Sequence, residues 1–478
     1  MLSTTYLRVQ SLLIDPDPRR QRRAILGLLA ASGLLIGLLV GLAGPFIAAG
    51  LAIALIGVWL VVRSPLWGLV GVIAISAILP FATLPFKIGF TPSFLDLAVF
   101  ATFAVWAFKY VTREETRFEA SAIGPAVTLF LAMAVITFAL GLQYARPTAN
   151  NLRQFLEMVI SITLFFVAIN TVRTRAQLIF LARALMIGGA VAAALGVIFY
   201  LIPRETTVWV LNQLARLGYP GGSGALRFVN DDPDGLMRAI GTSIDPNVLG
   251  GMMILAGAFT LPQFFSAQPI LPRRWITLML ALEVSCLYFT ISRGSMLGFV
   301  LAAGVVGALR HRRLLLLLFI GGVLFFVLPF TQDYVQNLLA GLAGQDRSTQ
   351  MRFGEYRDAF ALISRYPLFG VGFTGTPEIG LYIGVSSLYL LMAETMGLVG
   401  VVIFLAVMLL FLNALSQGLR RRPTPWLESL LLGVLAAMIG LLAAGVLDHY
   451  LFNLTYPHMT SLLWLLVGLG MAAVRQTE

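Results

Sequence analysis

The stretch LYFTISRGSMLGFVL, residues 287–301, places one arginine, Arg293, inside an apolar run that covers residues 275–309. The only other charged residue of that run is Glu283. A helix that crosses a bilayer needs about 20 apolar residues, so this run is long enough for nearly two crossings. We therefore predict two spans joined by a tight hairpin at Arg293, where a guanidinium escapes most of the cost of burial in hydrocarbon.

The composition of the whole chain agrees with a membrane location. Of its 478 residues 59% are hydrophobic and only 12% are charged, which excludes a soluble globular domain. Many separate runs have the length of a membrane helix, and the alternating pattern of an outer-membrane barrel is missing. The sequence thus predicts an all-α polytopic integral membrane protein with about 14 transmembrane helices and no fewer than 12. The predicted spans are residues 24–43, 46–62, 66–84, 94–110, 122–142, 152–170, 177–202, 246–265, 275–292, 294–309, 314–331, 388–415, 427–447 and 458–474.

The basic residues of the short loops predict the orientation of these spans. They concentrate on alternate loops, and the positive-inside rule then places both chain termini in the cytoplasm. The first span is expected to stay as an anchor, because no convincing small-residue cleavage site follows it. The predicted organisation is a cytoplasmic segment (1–23), a bundle of seven helices (24–202), an extracytoplasmic loop (203–244), helices with the hairpin (245–331), a large extracytoplasmic loop (332–387) and C-terminal helices (388–474).

Charge and cysteine content exclude two other classes of function. The net charge of +11 reflects mainly the arginines of the predicted inner loops, so nucleic-acid binding is not expected. The single cysteine, Cys286, lies within a span and permits neither a disulfide framework nor a CxxC metal motif. No metal or cofactor is predicted.

The two long outer segments are candidates for function, because long ordered loops usually have one. The hexamer NDDPDG, residues 230–235, is similar to the start of a calcium loop, but Gly241 stands where the bidentate glutamate is required, so we predict a turn-rich surface loop. The larger segment contains a predicted helix, residues 351–366, that lies flat on the outer surface above a cavity. Its apolar face is predicted to hold Phe353, Tyr356, Phe360 and Ile363, and its polar face Glu355, Asp358 and Arg365.

Two interpretations of that helix stay open. It is either a lid with solvated charges or part of a basic surface suited to phosphate, which arginine binds in a bidentate manner. Within the spans, Arg183 and Glu283 are predicted to form a structural ion pair near the inner face. Other ionisable residues fall near the outer ends of their spans: Asp96, Arg153, Glu157, Arg293, Glu394, Asp448, His449 and His458.

Three motifs in the C-terminal half resemble the O-antigen ligase and O-antigen polymerase family of bacterial surface polysaccharide assembly. They are RAIGTSIDPNVLGG (238–251), TISRGSMLGF (290–299) and RFGEYRDAFALISRYPLFGVGF (352–373), the last followed by SSLYLLMAETMGLVG (386–400). The resemblance implies a multi-pass protein of the bacterial inner membrane with a scaffold like that of C-type glycosyltransferases. Its implied partners are a polyprenyl-diphosphate-linked glycan donor, a glycan or lipid-linked acceptor, the bilayer and other polysaccharide-assembly proteins. By that likeness Arg238, Arg293 and Arg352 take the positions of functional arginines.

One departure from the family favours a polymerase over a ligase. Ser386 and Ser387 stand where the ligase pattern has His-Asn, so the catalytic histidine of ligases is absent. Transfer of a sugar from a diphosphate needs cations for the leaving group and usually a base for the acceptor hydroxyl. Glu355, Asp358, Glu394, His449 and His458 are the candidate bases, whereas Asp245 is interpreted as a helix cap and Tyr389 mainly as interfacial packing. The predicted catalytic residues are Arg293, Arg352, Glu355 and Asp358, and the predicted substrate-binding residues are Arg238, Arg153, Arg227, Tyr389, Glu394 and His449.

Two alternatives belong to other classes of protein. A transporter or exporter of a lipid-linked or small anionic substrate would also have many spans, but it would tend to show an internal repeat and charges near the midplane. Neither is evident in this sequence. A non-catalytic component of polysaccharide assembly is the other alternative, since the ligase histidine is missing.

Overall fold

A computed structural model describes residues 45–115, 117–376 and 383–478, together with residues 17, 20–22, 25–27, 30, 33, 34, 37 and 41. The chain divides into two compact units, Met1–Arg63 and Ser64–Glu478. In the first unit, helix α1 covers Pro45–Arg63 and corresponds to the predicted span 46–62. The predicted span 24–43 lies largely outside the described residues.

The second unit is built almost entirely of helices. An antiparallel ribbon pairs β1 (Arg227–Phe228) with β2 (Met237–Arg238), and the acidic hexamer forms the turn between them. The helices are α2 (Pro65–Ile78), α3 (Phe94–Val111), α4 (Gly124–Gly141), α5 (Ala149–Thr171), α6 (Arg175–Leu201), α7 (Arg204–Leu214), α8 (Pro246–Phe265), α9 (Arg273–Thr290), α10 (Arg293–Leu309), α11 (Arg312–Val327), α12 (Gln332–Leu342), α13 (Arg347–Arg365), α14 (Leu388–Arg420), α15 (Pro425–Ala444) and α16 (Pro457–Arg475).

The fold is therefore all-α and polytopic, as predicted. Among the described residues eight helices are long and apolar enough to cross a membrane, and nine if the bent pair α11 and α12 counts as one span. Helices α2 and α10 are apolar but shorter. The count of fourteen spans and their orientation stay predictions.

Burial separates central helices from peripheral ones. In α16 and α8, 94% and 89% of the most apolar window is buried inside the protein, against 22% in α3. A membrane helix is apolar on all sides, so hydropathy alone does not distinguish a helix surrounded by protein from one that faces lipid. At the centre the Trp464 indole stacks on Phe130, with ring centroids 5.8 Å apart. Both side chains are fully buried.

Helices α5 and α16 run parallel and define two ends of the bundle. The hydroxyls of Ser161 and Ser461 lie 2.8 Å apart, and nearer the helix ends Arg475 donates to the Ile169 carbonyl at 3.1 Å. The two helices begin at what we call the Asp448 end, because Asp448 lies in the loop between α15 and α16. They finish at what we call the Arg475 end. A helix of 19 residues rises about 28 Å, so the two ends are well separated.

The hairpin at Arg293 forms close to the predicted position. Helix α9 ends at Thr290, and Ile291 adopts a left-handed conformation with φ of 51°. Arg293 is then the first residue of α10, at the Asp448 end of the bundle. The turn therefore lies one to two residues before Arg293, and the arginine begins the second helix.

Helix α14 is interrupted at Gly397, where φ is 68°. The backbone groups released by this break bond to the loop after α13: Val371 N–H donates to the Glu394 carbonyl at 2.8 Å, and Leu398 N–H to the Pro367 carbonyl at 2.7 Å. The approach is so close that a Cβ at Gly397 would lie 2.1 Å from the Leu368 carbonyl oxygen. The PLFGVGF segment of the third motif thus completes the broken helix.

Replacement of Gly397 by alanine is expected to destabilise the protein by more than about 3 kcal/mol, because a left-handed φ and a backbone clash act together. Gly354→Ala is the matched control, since Gly354 lies in α13 and a Cβ added there would have nothing within 4 Å. Thermal unfolding of the detergent-solubilised variants measures both. Equal melting temperatures for the two variants would contradict the assigned role of the break.

The predicted ion pair between Arg183 and Glu283 is wrong. Arg183 Nε donates to the Ile270 carbonyl at 2.7 Å, and Glu283 receives only a 3.5 Å contact from the Thr260 hydroxyl. The second carboxyl oxygen of Glu283 is buried without a partner. The two residues lie at similar depth in the sequence pattern, but depth does not determine which side of a helix faces which neighbour.

Helix α13 confirms that the predicted segment is helical. Its buried side does not coincide with the predicted apolar face. Ala359 and Leu362 are buried, with Tyr356 and Ile363 packed beside them near Val385. Phe353 and Phe360 are each 60% exposed, so the predicted apolar face is divided between protein contact and an outer surface. Glu355, which the sequence places on the polar face, accepts a hydrogen bond from Ser386 N–H at 2.9 Å. That the helix lies flat on the membrane over a cavity stays a prediction.

The predicted orientation can be tested with single cysteines. Ser223 and Ser348 are exposed, whereas native Cys286 is buried and provides an unreactive background. We expect Ser223→Cys and Ser348→Cys to react with an impermeant maleimide in intact cells. Thr424→Cys, in an exposed loop predicted to be cytoplasmic, should react only after permeabilisation. Failure of both outer positions in well-expressed protein would overturn the orientation.

Candidate functional site

Arg238 is held at the Asp448 end by two different helix termini. Its Nε donates to the Thr290 carbonyl at 2.8 Å, and its Nη2 donates to Asn247 Oδ1 at 2.7 Å. Burial lowers the pKa of the guanidinium, which nonetheless stays charged, since an arginine is never deprotonated in a protein. The charges of Asp245, Asp448 and Arg352 also act on this group, so all three lie nearby.

Asp245 is more than the helix cap that its sequence context predicts. Its Oδ1 accepts from the N–H groups of Asn247 and Val248 at 2.8 and 3.0 Å, as a cap of α8 should. The charge of Asp245 also acts on Tyr456. Burial and the nearby charge of Asp448 raise the pKa of Asp245, against the opposing effect of the cap bonds and Arg238.

Asp448 and His449 form a carboxylate–imidazole pair in the loop between α15 and α16. Asp448 Oδ1 accepts from the backbone N–H of His449 at 2.8 Å and lies 3.1 Å from its Nδ1. The side chain of His449 is 22% exposed, and its ring lies edge-on to Tyr456. A proton on Nδ1 that is shared with Asp448 leaves Nε2 as an acceptor.

Arg293 connects the hairpin to the large loop. Its Nη2 lies 2.8 Å from Asp346 Oδ2, and the side chains are 27% and 7% exposed. Burial acts to raise the pKa of Asp346, but the hydrogen bond from Arg293 and the charge of that guanidinium hold it below its usual value. The guanidinium lies against the backbone of Gly341, where an added Cβ would clash with Nη1.

Electrostatic interactions connect Tyr334 and Arg352 with the other two arginines. Burial raises the pKa of Tyr334, and the charges of Arg238 and Arg293 both oppose that rise, so both arginines act electrostatically on this residue. Arg352, one turn into α13, acts on Arg238 and on Tyr356. Arg238 and Arg293 therefore share Tyr334 as a neighbour and Arg352 acts on Arg238, so the three arginines of the motifs lie at the same end of the bundle, although they come from three separate segments of the chain.

The remaining predicted carboxylates form a second group beside the first. Glu355 is bonded to Ser386 N–H, and the Tyr356 hydroxyl contacts the Ser386 carbonyl at 3.4 Å. Glu394 is 2% exposed and accepts from Gly384 N–H at 3.3 Å. Asp358 and Glu355 are both close enough to act electrostatically on Glu394. This acidic group surrounds the position where the ligase histidine is absent.

Four other predicted residues have separate surroundings. Arg153 pairs with Asp96 at 2.6 Å and with Glu157 at 3.2 Å. Tyr389 donates its hydroxyl to the Leu442 carbonyl at 2.8 Å, which supports its interpretation as packing. His458 is fully buried with no partner for either ring nitrogen, so it is poorly placed to act as a base. Arg227 donates to the Gly224 carbonyl at 2.9 Å and acts on Tyr456.

Sequence reasoning does not find several members of the site. The local context of Asp245 predicts only a cap, that of Asp448 indicates only its depth, and Asn247, Tyr334 and Tyr456 carry no signal of their own. The one available signal is the sequence LDHY, residues 447–450, in which a carboxylate and an imidazole end an apolar run. Charged residues at such a position are costly to keep without a function.

The site combines side chains that suit an anion with a side chain that suits proton transfer. Arginines suit the oxygens of phosphate, which they bind in a bidentate manner. An imidazole oriented by a carboxylate suits proton transfer from a hydroxyl. Among the described residues no group of histidine, cysteine and carboxylate side chains is arranged to hold a metal ion.

The fold and the site define a polytopic all-helical membrane protein whose motif arginines lie at one end of the bundle. Residues 276–405, about a quarter of the chain, match the family described as O-antigen ligase. The match confirms the resemblance to the O-antigen ligase and polymerase proteins, a family of glycosyltransferase-like membrane enzymes that act on lipid-linked glycans. The matched segment contains Arg293 and Arg352, whereas Arg238, Asp448 and His449 lie outside it. No curated protein matches the chain at a significant level.

Proposed function

We propose that this protein is a bacterial inner-membrane glycosyltransferase that moves a glycan from a polyprenyl-diphosphate donor to an acceptor hydroxyl on the extracytoplasmic side, as a polymerase. The observation that carries the proposal is the gathering of Arg238, Arg293 and Arg352 beside the Asp448–His449 pair. Three cations from separate segments make a preorganised site for a diphosphate, and the imidazole lies next to it.

In the proposed reaction the acceptor hydroxyl oxygen attacks the anomeric carbon of the donor. The bond between that carbon and the diphosphate oxygen breaks, and polyprenyl diphosphate leaves with both bonding electrons. His449 Nε2 takes the proton of the hydroxyl, and Asp448 stabilises the imidazolium that results. The arginines stabilise the charge that develops on the diphosphate, which is where preorganised cations are most effective.

A polymerase is favoured over a ligase by the surroundings of Ser386. In place of an imidazole this position offers a backbone N–H that is already bonded to Glu355. The base is therefore assigned to His449, which lies more than sixty residues further along the chain. Glu355, Asp358 and Glu394 then contribute to acceptor binding, because carboxylates accept hydrogen bonds from sugar hydroxyls.

The test is reconstitution of the full chain in vesicles with a polyprenyl-diphosphate-linked oligosaccharide repeat unit. A polymerase converts this single substrate into lipid-linked products of two or more repeats, which mass spectrometry resolves. A ligase forms product only when a second acceptor lipid is added. Movement of the substrate across the bilayer without any covalent change would favour the transporter alternative and overturn the proposal.

A further inference from the structure

A polar cleft lies at the Arg475 end of the bundle, a helix length away from the arginine site. Its volume is about 140 Å³, well above the roughly 10–15 Å³ that one water requires. The lining side chains that matter here are Trp106, Lys109, Glu115, Thr171, Arg173 and Gln177. They come from the end of α3, the loop after it, and the turn between α5 and α6.

The walls of the cleft are held by a network of hydrogen bonds. Arg173 Nη1 pairs with Glu115 Oε2 at 2.7 Å, and Nη2 donates to the Arg117 carbonyl at 2.8 Å. Asn170 Oδ1 accepts from the Tyr110 hydroxyl at 3.0 Å, and its amide donates to the Phe166 carbonyl at 3.0 Å. The lining groups of the cleft are therefore held in place by other contacts within the protein.

Three polar atoms of the lining residues are left unsatisfied. Trp106 Nε1, Arg173 Nε and Thr171 Oγ1 are all buried and have no hydrogen-bond partner. Buried polar groups in native proteins are nearly always hydrogen-bonded, so three unsatisfied atoms around one cleft require an explanation. Two of the three atoms can only donate, which points to a ligand that accepts.

The charges around the cleft favour a negatively charged ligand. Arg173 and Lys109 bring two positive charges and Glu115 brings one negative charge, so these lining groups together are positive. A ligand with several acceptor oxygens and a negative charge would satisfy the unpaired donors and balance that net charge together. A neutral acceptor would satisfy the donors but would not balance the charge.

We propose that this cleft binds the phosphate group of a lipid headgroup or of a free phosphate ester, at the end of the protein opposite the arginine site. The positive-inside rule predicts that this end is cytoplasmic. Occupation would tie the α3 end and its following loop to the α5–α6 turn. The inference is independent of the proposed transfer reaction, because it uses none of the same residues.

The test measures binding of radiolabelled inorganic phosphate to the detergent-solubilised full chain. Saturable binding is expected, and Trp106→Phe should weaken it about tenfold or more, because a hydrogen bond to a charged group is lost while the aromatic contacts with Phe103 and Tyr110 are kept. Thr171→Val should weaken it about threefold to tenfold. Trp209→Phe is the matched control, since Trp209 is 62% exposed on α7 and outside the cleft.

A second arm distinguishes the source of the phosphate. Native mass spectrometry of protein taken from nanodiscs of phosphatidylcholine and phosphatidic acid reports which lipid is retained. Retention of phosphatidic acid that Trp106→Phe abolishes supports a lipid headgroup, and phosphate binding without lipid preference supports a free phosphate. Absence of both, or equal binding by the Trp106→Phe variant, overturns the proposal. Failure here would leave glycan transfer by the same preparation unaffected.

Discussion

Replacement of Arg293 by alanine is expected to reduce glycan transfer about 10²–10³-fold, because it removes a fixed cation from the leaving diphosphate. Arg293→Lys should fall between this variant and the parent, since lysine keeps the charge but loses the planar fork. The measurement is the rate of product formation in the reconstituted vesicles. Gly341→Ala should act in the same direction, because its methyl group would displace the guanidinium.

A loss of activity in Arg293→Ala has to be separated from a loss of folding. Removal of the arginine leaves Asp346, with a side chain only 7% exposed, as an unpaired carboxylate. We expect a cost of about 1–3 kcal/mol, less than for a fully buried pair because Arg293 is partly exposed. The double variant Arg293→Ala/Asp346→Asn should recover that stability but not the activity. If the double variant transfers glycan at the parental rate, Arg293 has only a structural role.

Replacement of His449 by glutamine is expected to reduce transfer about 10²–10⁴-fold, which is the usual contribution of a general base. Asp448→Asn should also reduce it, because the amide lacks the negative charge that stabilises the imidazolium and its NH2 group can donate to Nδ1, which favours the wrong tautomer. Both effects should appear in kcat rather than KM for the donor, since neither group is assigned to diphosphate binding. Single-turnover measurements with saturating donor provide the comparison.

The control for His449 is a histidine outside the site. His311 lies just before α11 and stacks on Phe265, with ring centroids 4.6 Å apart. His311→Gln should retain full transfer. An active His449→Gln variant together with an inactive Glu355→Gln variant would move the role of base to the acidic group around Ser386, and would remove the case for the Asp448–His449 pair.

Some of the site could be predicted from the sequence because the signal is local. The three motif arginines stand out as charges beside apolar runs, and the structure brings all three together. The site residues that the sequence does not predict are joined by contacts between distant parts of the chain. Asp448 is about two hundred residues from Asp245 in the chain, and each has an ordinary local explanation as a residue at a helix end.

The failed prediction of an ion pair has a physical cause. Arg183 and Glu283 lie at comparable depths, but their partners depend on the rotation of each helix about its axis, which hydropathy does not report. The same uncertainty explains why the buried side of α13 holds Ala359 and Leu362 while Phe353 and Phe360 are exposed. Gly397 gives no sign of a broken helix, since the break is stable only where the backbone of the PLFGVGF segment supplies the lost hydrogen bonds.

The sequence by itself determined the all-helical membrane class, the hairpin at Arg293 and the family resemblance. These follow from apolar length and from local motifs, because a bilayer forces each span to satisfy its own backbone hydrogen bonds. Only the tertiary structure decided that Asp245, Asp448 and His449 join the arginines, and that Arg293 pairs with Asp346. Those contacts depend on which faces of the helices pack together, and helices that are apolar on every side carry little record of that choice in their sequence.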